Sequence, residues 1–208
     1  MADFTLTVAP NDFELIEINA DRSIALENGA YQVEARTGNR LGLMLHYRNL
    51  VNERRRLVLA FISRLKGRRN RLVVPASILG YSRNGNGTAG TPLTNGAHVA
   101  GVTTVAVKGL GASETNVCEA GDLITFGAHF YIVTQNFSSD GAGNASVIIW
   151  PGLLADVAGG VGVKIDAPDS TFIATPDHSA RLPFSPHVDS NFGMVSAFTW
   201  SLEQDVLA

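Results

Sequence analysis

The chain has 208 residues, 45% of them hydrophobic and 17% charged, with a formal net charge of −3. That is enough apolar material for one large domain, or for one domain with a smaller module inserted, and it excludes a disordered polymer. Cys118 is the only cysteine, which excludes an intrachain disulfide and argues against a structural zinc site.

Twenty-one glycines, against a usual share of about 7%, combine with several Asn-Gly pairs and one Asp-Gly. This is turn chemistry, and it predicts a mainly β protein of many short strands. The segment Met1-Ala2-Asp3-Phe4 lacks the basic start and apolar stretch of a signal peptide. No apolar run approaches the roughly 18–20 residues that span a bilayer, so no membrane insertion is expected and assembly in a cytoplasm is. Charge is unevenly placed. Eight of the 16 basic residues lie between Arg54 and Arg71, whereas 84–180 holds only Lys108 and Lys164 against eight acids.

In chain order, Phe4, Leu6 and Val8 alternate in the strand manner, and Phe13, Leu15 and Ile18 continue the pattern. Asn28-Gly29 predicts a hairpin between Ile24-Ala25-Leu26 and Tyr31-Gln32-Val33. Leu41, Leu43 and Leu45 then form the apolar face of a further strand, completing an expected antiparallel meander. The period next changes to that of an amphipathic helix over 50–66, carried by Leu50, Val51, Arg54, Leu57, Val58, Phe61, Ile62 and Leu65. Asn49 or Asn52 would cap its start and Gly67 would end it. A strand at Arg71 to Val74 follows, stopped by Pro75.

The Gly- and Asn-rich stretch from Tyr81 to Gly96 reads as the entry to an inserted module. Strands are predicted there at Val99 to Val107, Leu123 to Phe126, His129 to Thr134, Ala145 to Trp150, Val161 to Ile165 and Thr171 to Ala174. Five or six short strands in about ninety residues make a small β-barrel of the OB or SH3-like kind. The last strand, Met194 to Val206, needs a partner and is expected to return to the first sheet. The expected division is therefore 1–81 with 179–208 as one domain and 82–178 as the insertion.

Several segments, taken in order, resemble the distal tail proteins of long-tailed bacteriophages. They are Ala60-Phe61-Ile62-Ser63-Arg64-Leu65-Lys66-Gly67-Arg68 before a strand ending in Pro75, and Ala120 through Gly127 followed by Tyr131-Ile132-Val133. Asp140 through Ala145 leads to Ile149-Trp150-Pro151-Gly152-Leu153, and Phe198-x-Trp200-x-Leu202-Glu203 closes the series. The likeness spans roughly 40–205 and rests on order and spacing; Tyr47 stands where relatives often carry Trp.

The resemblance implies a tail-tube-like β-sandwich with one flanking helix and an inserted small barrel. It also implies a structural role: a hexameric ring in the virion tail that joins the tail tube to the hub and receptor-binding apparatus, with DNA passing through its lumen. Implied partners are copies of itself, the tail tube protein and the hub or tip proteins. A closing ring requires two different patches of each subunit to meet. The expected pair sets Arg64, Arg68, Arg69 and Arg71 against Asp12, Glu14, Glu17 and Asp21.

No catalytic residues, metal or cofactor are expected. His178 and His187, with Asp177 and Asp189, lack a recognised ligand spacing. Ser139 to Asn144 lacks the later acidic residue of an EF-hand loop and reads as a hairpin turn, and Gly159-Gly160-Val161-Gly162 opens no helix. No G-x-S-x-G occurs, and Cys118 has no activating neighbour. Two other classes stay open: a nucleic-acid binder using the Arg54–Arg71 cluster, and a carbohydrate-binding adhesion module presenting Phe126, Phe130, Tyr131 and Trp150.

Overall fold

In the computed structural model of the protein, the described residues are 3–18, 22–25, 31–34, 40–50, 52–65, 70–174 and 195–204. The protein is mainly β, built on two six-stranded sheets. The first contains β1 (Asp3–Thr5), β2 (Asp12–Ile18), β5 (Arg40–Leu50), β6 (Arg71–Pro75), β13 (Asp169–Ala174) and β14 (Val195–Gln204). Its order is β1-β6-β13-β14-β5-β2. A separate ribbon pairs β3 (Arg22–Ala25) with β4 (Tyr31–Glu34), the predicted hairpin; Asn28-Gly29 lies outside the described residues.

The last strand does return to the first sheet. β14 runs antiparallel to β5 from Val195↔Leu50 to Glu203↔Gly42. Alternation in β5 is that of a strand buried on one face. Leu41, Leu43, Leu45 and Tyr47 are buried, whereas Met44 and His46, on the other face, are half-buried. Tyr47 donates its hydroxyl to the Val8 carbonyl at 3.0 Å, which satisfies a polar group that burial would otherwise penalise.

The helix α1 (Asn52–Leu65) is slightly shorter than the predicted 50–66, because Leu50 is claimed by the ladder of β5. Its orientation also departs from the predicted apolar stripe. Val58 is buried in the sheet core, but Leu57 is 53% exposed. Glu53, Arg56, Ala60 and Arg64 lie on that same exposed side, as the i, i+3, i+4 geometry requires.

Two further expectations are corrected. The N-terminal segment is not a pure antiparallel meander, since β1 runs parallel to β6, with Asp3↔Arg71 in register. The strand at Thr171 to Ala174 belongs to the first sheet rather than to the inserted module: β13 pairs with β6 on one side and β14 on the other. Its ladder partners Leu72 to Pro75 are distant in sequence, so local pattern could not assign it. The chain between β6 and β13 thus runs over 76–168, against the expected 82–178.

That chain forms the second sheet from β7 (Leu93–Thr94), β8 (Thr104–Lys108), β9 (Leu123–Phe126), β10 (His129–Val133), β11 (Ala145–Trp150) and β12 (Val163–Lys164). In the order β12-β9-β10-β11-β8-β7 it curls into a nearly closed barrel. The ends are drawn together by a Leu93↔Gly162 bridge and by Thr94 N–H to Val161 O and Val163 N–H to Pro92 O, both 2.9 Å. The predicted strand at Val99 to Val107 begins only at Thr104. Val99 is 64% exposed in the preceding turn, where Asp156 accepts the Ala100 N–H at 2.8 Å.

The β9–β10 hairpin is buried on both faces, and this joins the two sheets. Ile124, Phe126, Tyr131 and Val133 fill the barrel, while Leu123 and Phe130 enter the core of the first sheet beside Leu43, Leu72 and Phe172. The period of 2 sends alternate residues to different cores. Phe130 and Phe172 meet edge to face at 6.1 Å, a favourable ring geometry. Phe172→Ala should therefore destabilise the protein by about 3–5 kcal/mol, read from the midpoint of chemical unfolding; a loss within experimental error would show that this seam does not hold the two sheets together.

Candidate functional site

Among the described residues, two regions gather polar and charged groups: the rim of the first sheet with its helix, and the junction where the chain crosses into the barrel. At the rim, β2 is an edge strand. Asp12 and Glu14 are exposed there, opposite His46 and Met44, and Glu17 stands opposite Leu41. Glu14 Oε1 lies 3.6 Å from His46 Nε2. Arg64 is exposed in the last turn of α1, and its carbonyl accepts a 2.7 Å bond from Asn70 Nδ2. Arg71 begins β6, next to the opposite edge strand β1.

The structure thus places three of the expected acids on one edge, and Arg71 beside the other. Among the described residues, the acids of β2 and Arg71 stand toward opposite ends of the sheet order. Arg68, Arg69 and Asp21 lie outside the described residues, as do Asp177, His178, His187 and Asp189. No group of three or more His, Cys, Asp or Glu side chains suited to a metal occurs among the described residues.

At the junction, a one-turn helix at Ala76–Leu79 follows β6 and ends at Gly80, whose φ of 74° is left-handed. The chain then passes over Asp122, which is only 1% exposed. Its carboxylate accepts the N–H of Asn84 at 2.8 Å, of Gly85 at 2.9 Å and of Glu119 at 2.8 Å, and the Tyr81 hydroxyl at 3.1 Å. Burial works to raise its pKa, but the Asn84, Glu119 and Gly85 N–H donors and the Tyr81 hydroxyl outweigh it and hold the carboxyl below its ordinary range. Tyr81 in turn accepts the Leu123 N–H at 2.8 Å; burial pushes its own hydroxyl up to about 12. The close fit leaves no room at Gly85, where a Cβ would sit 2.5 Å from Cys118 Cα.

Arg83 closes the crossing. Its Nε donates to Gly85 O at 2.9 Å, one terminal nitrogen donates to Asn86 O at 3.2 Å, and the other pairs with Asp166. The pair separates two shallow depressions, of about 570 Å³ and 370 Å³. The larger is lined by Thr88, Glu114 and Thr115 among others. The Thr88 hydroxyl, 2.6 Å away, and the Ala89 and Gly111 N–H groups hold the Glu114 carboxyl below its usual range. These polar groups satisfy one another, which makes the crossing a structural clasp.

Sequence reasoning did not single out Asp122, Arg83 or Asp166. The one available signal was an Asp between Gly121 and an apolar strand. Apart from Glu119 in its own turn, its donors at Gly85, Asn84 and Tyr81 lie 37 or more residues away, and no spacing rule connects them. The barrel aromatics, by contrast, are consumed in packing. Phe126 and Tyr131 face the barrel interior and Phe130 the sheet core, all buried, and half-buried Trp150 packs on that same core. None of the three buried rings offers the open face that stacking on a sugar needs. Burial also pushes the Cys118 thiol up to about 12, removing thiolate reactivity. In the 138–144 turn the Asp140 carboxylate accepts the Ala142 and Asn144 N–H groups at 2.9 and 2.8 Å, a self-contained hairpin turn.

Comparison of the sequence with protein-family models and with curated proteins finds no match.

The Asp122 clasp carries a pH dependence with a definite sign. A carboxyl whose folded pKa is depressed stabilises the fold above its unfolded pKa and loses that contribution as pH falls through its folded value. Asp122→Asn should cost about 1.5–3 kcal/mol near neutral pH, as expected for charge-assisted hydrogen bonds. The difference from wild type should shrink as pH drops below about 4. Urea midpoints across that range test it, and a gap between the two proteins that stays constant down to the lowest pH would overturn the assignment.

Proposed function

We propose that this chain is a structural virion protein, a ring-forming component at the distal end of a long phage tail. In this reading six copies close a ring that joins the tail tube to the hub and receptor-binding apparatus. The first sheet and α1 serve as a tail-tube-like sandwich with a flanking helix, and the inserted module serves as a small OB- or SH3-like barrel. Phage DNA passes through the lumen without specific recognition, and no cofactor is involved.

The observation that carries this reading is the return of β14 to β5, which turns two distant segments into one scaffold and leaves the barrel as an insertion between β6 and β13. It is the arrangement that the order of motifs from Ala60 to Glu203 implies. Ring closure by head-to-tail contact needs two unlike surfaces on one subunit, and charge supplies them. The helix carries Arg54, Arg55, Arg56 and Arg64 against Glu53, so 4 − 1 = +3. The edge strand β2 carries Asp12, Glu14 and Glu17, which is −3. On the exposed side of the helix, Leu57 and Ala60 lie between Arg56 and Arg64 and provide an apolar centre for the contact.

Opposite exposed charges attract over about 8 Å at physiological ionic strength, so assembly should weaken with salt. The purified protein should give a hexameric mass by light scattering and sixfold rings by electron microscopy. Asp12→Lys combined with Glu14→Lys should shift that population to smaller species while leaving the melting temperature near wild type, since both side chains are exposed. A protein that stays monomeric at every salt and protein concentration would refute the ring, and intact rings in the double variant would refute the charged contact alone.

A further inference from the structure

The Asn-Gly pairs account for turns, but Asn-Gly is also the dipeptide with the least steric resistance to deamidation. The Gly nitrogen, after losing its proton to base, attacks the Asn side-chain carbonyl carbon. A C–N bond forms, the bond to Nδ2 breaks, and ammonia leaves with the proton returned to it. Water then opens the cyclic imide at either carbonyl, giving an aspartyl or an isoaspartyl residue. The step needs a Gly N–H free to lose its proton and an Asn side chain free to swing onto it.

Three of these pairs lie among the described residues, and their surroundings differ sharply. The Gly85 N–H is bonded to the Asp122 carboxylate at 2.9 Å. That bond holds the proton in place, and the neighbouring negative charge opposes a second one on the nitrogen. Gly87 is buried and its N–H is bonded to Val117 O at 2.9 Å, while the Asn86 side-chain amide is itself tied to Thr115 O at 2.9 Å. Asn95 and Gly96 are both exposed, and a Cβ at Gly96 would meet nothing within 4 Å. Among the described residues nothing accepts the Gly96 N–H or engages the Asn95 side chain.

We infer that Asn95 is a site of spontaneous deamidation in the folded protein, and that the Asp122 clasp protects Asn84 and the buried turn protects Asn86. Conversion adds a negative charge to a barrel that already lies in the acid-rich part of the chain. Its isoaspartyl form also lengthens the backbone in a turn pinned at both ends, by Asn95 N–H to Ala106 O and His98 N–H to Val157 O, each 2.8 Å.

Trypsin, cutting after Arg83 and Lys108, releases all three positions in one peptide, so fragment ions locate the converted residue within the same molecule. The full-length protein is aged in mildly alkaline buffer, folded in one arm and in concentrated urea in the other. Folded protein should convert at Asn95 about tenfold or more faster than at Asn84 or Asn86, because those two must first open a protecting hydrogen bond. In urea the three rates should fall together. Folded protein that converts Asn84 or Asn86 as fast as Asn95, or that leaves Asn95 intact, would overturn the assignment. So would a urea arm that preserves the same order, since the preference would then belong to the local sequence.

Discussion

A buried carboxylate must be supplied with hydrogen-bond donors, and the way Asp122 is supplied organises this protein. Its donors come from the crossing segment at Tyr81, Asn84 and Gly85 and from its own turn at Glu119. An unpaired charge in that position would carry a penalty of several kcal/mol, so the crossing chain is held to one path over the start of β9. Glycine at position 85 is a consequence, because any side chain there would collide with Val117 and Cys118. The path in turn sets where Arg83 meets Asp166.

From that crossing the rest of the architecture follows. β9 and β10 are placed with one face in the barrel and the other on the first sheet. Polar bonds then reinforce the seam: Ser170 Oγ accepts the Phe130 N–H at 3.0 Å, Thr125 Oγ1 donates to Asp169 O at 2.7 Å, and Thr171 N–H donates to Ala128 O at 2.8 Å. A module joined only by a flexible pair of linkers would move relative to its host; one that shares Phe130 and Leu123 with its host's core is fixed to it. For the proposed ring this matters, since contacts between subunits would repeat faithfully only if each subunit has one shape.

Packing also separates the surfaces available for partners from those that are not. The barrel's large aromatics are spent on packing, which weighs against an adhesion role built on them. The helix instead presents arginines around a half-exposed Leu57, and β2 presents acids along a sheet edge. Edge strands invite pairing with other chains, and charge is one means of controlling which chain arrives.

Much of this fold was legible in the sequence. The alternation of Leu41, Leu43 and Leu45, the helical spacing around Val58, the Gly-rich turns and the final alternating strand all express local periodicity, which the backbone imposes on any chain that buries one face. The acid and base segments were equally visible as composition. Tertiary structure alone decided the parallel pairing of β1 with β6, the membership of β13 in the first sheet, the outward turn of Leu57 and the clasp at Asp122. Each of these depends on which distant segments meet, such as Asp169 with Pro75 or Asp122 with Asn84. A strand's period says which side chains share a face, but not which ladder the strand joins; that choice is made by the closing of long loops around a common core.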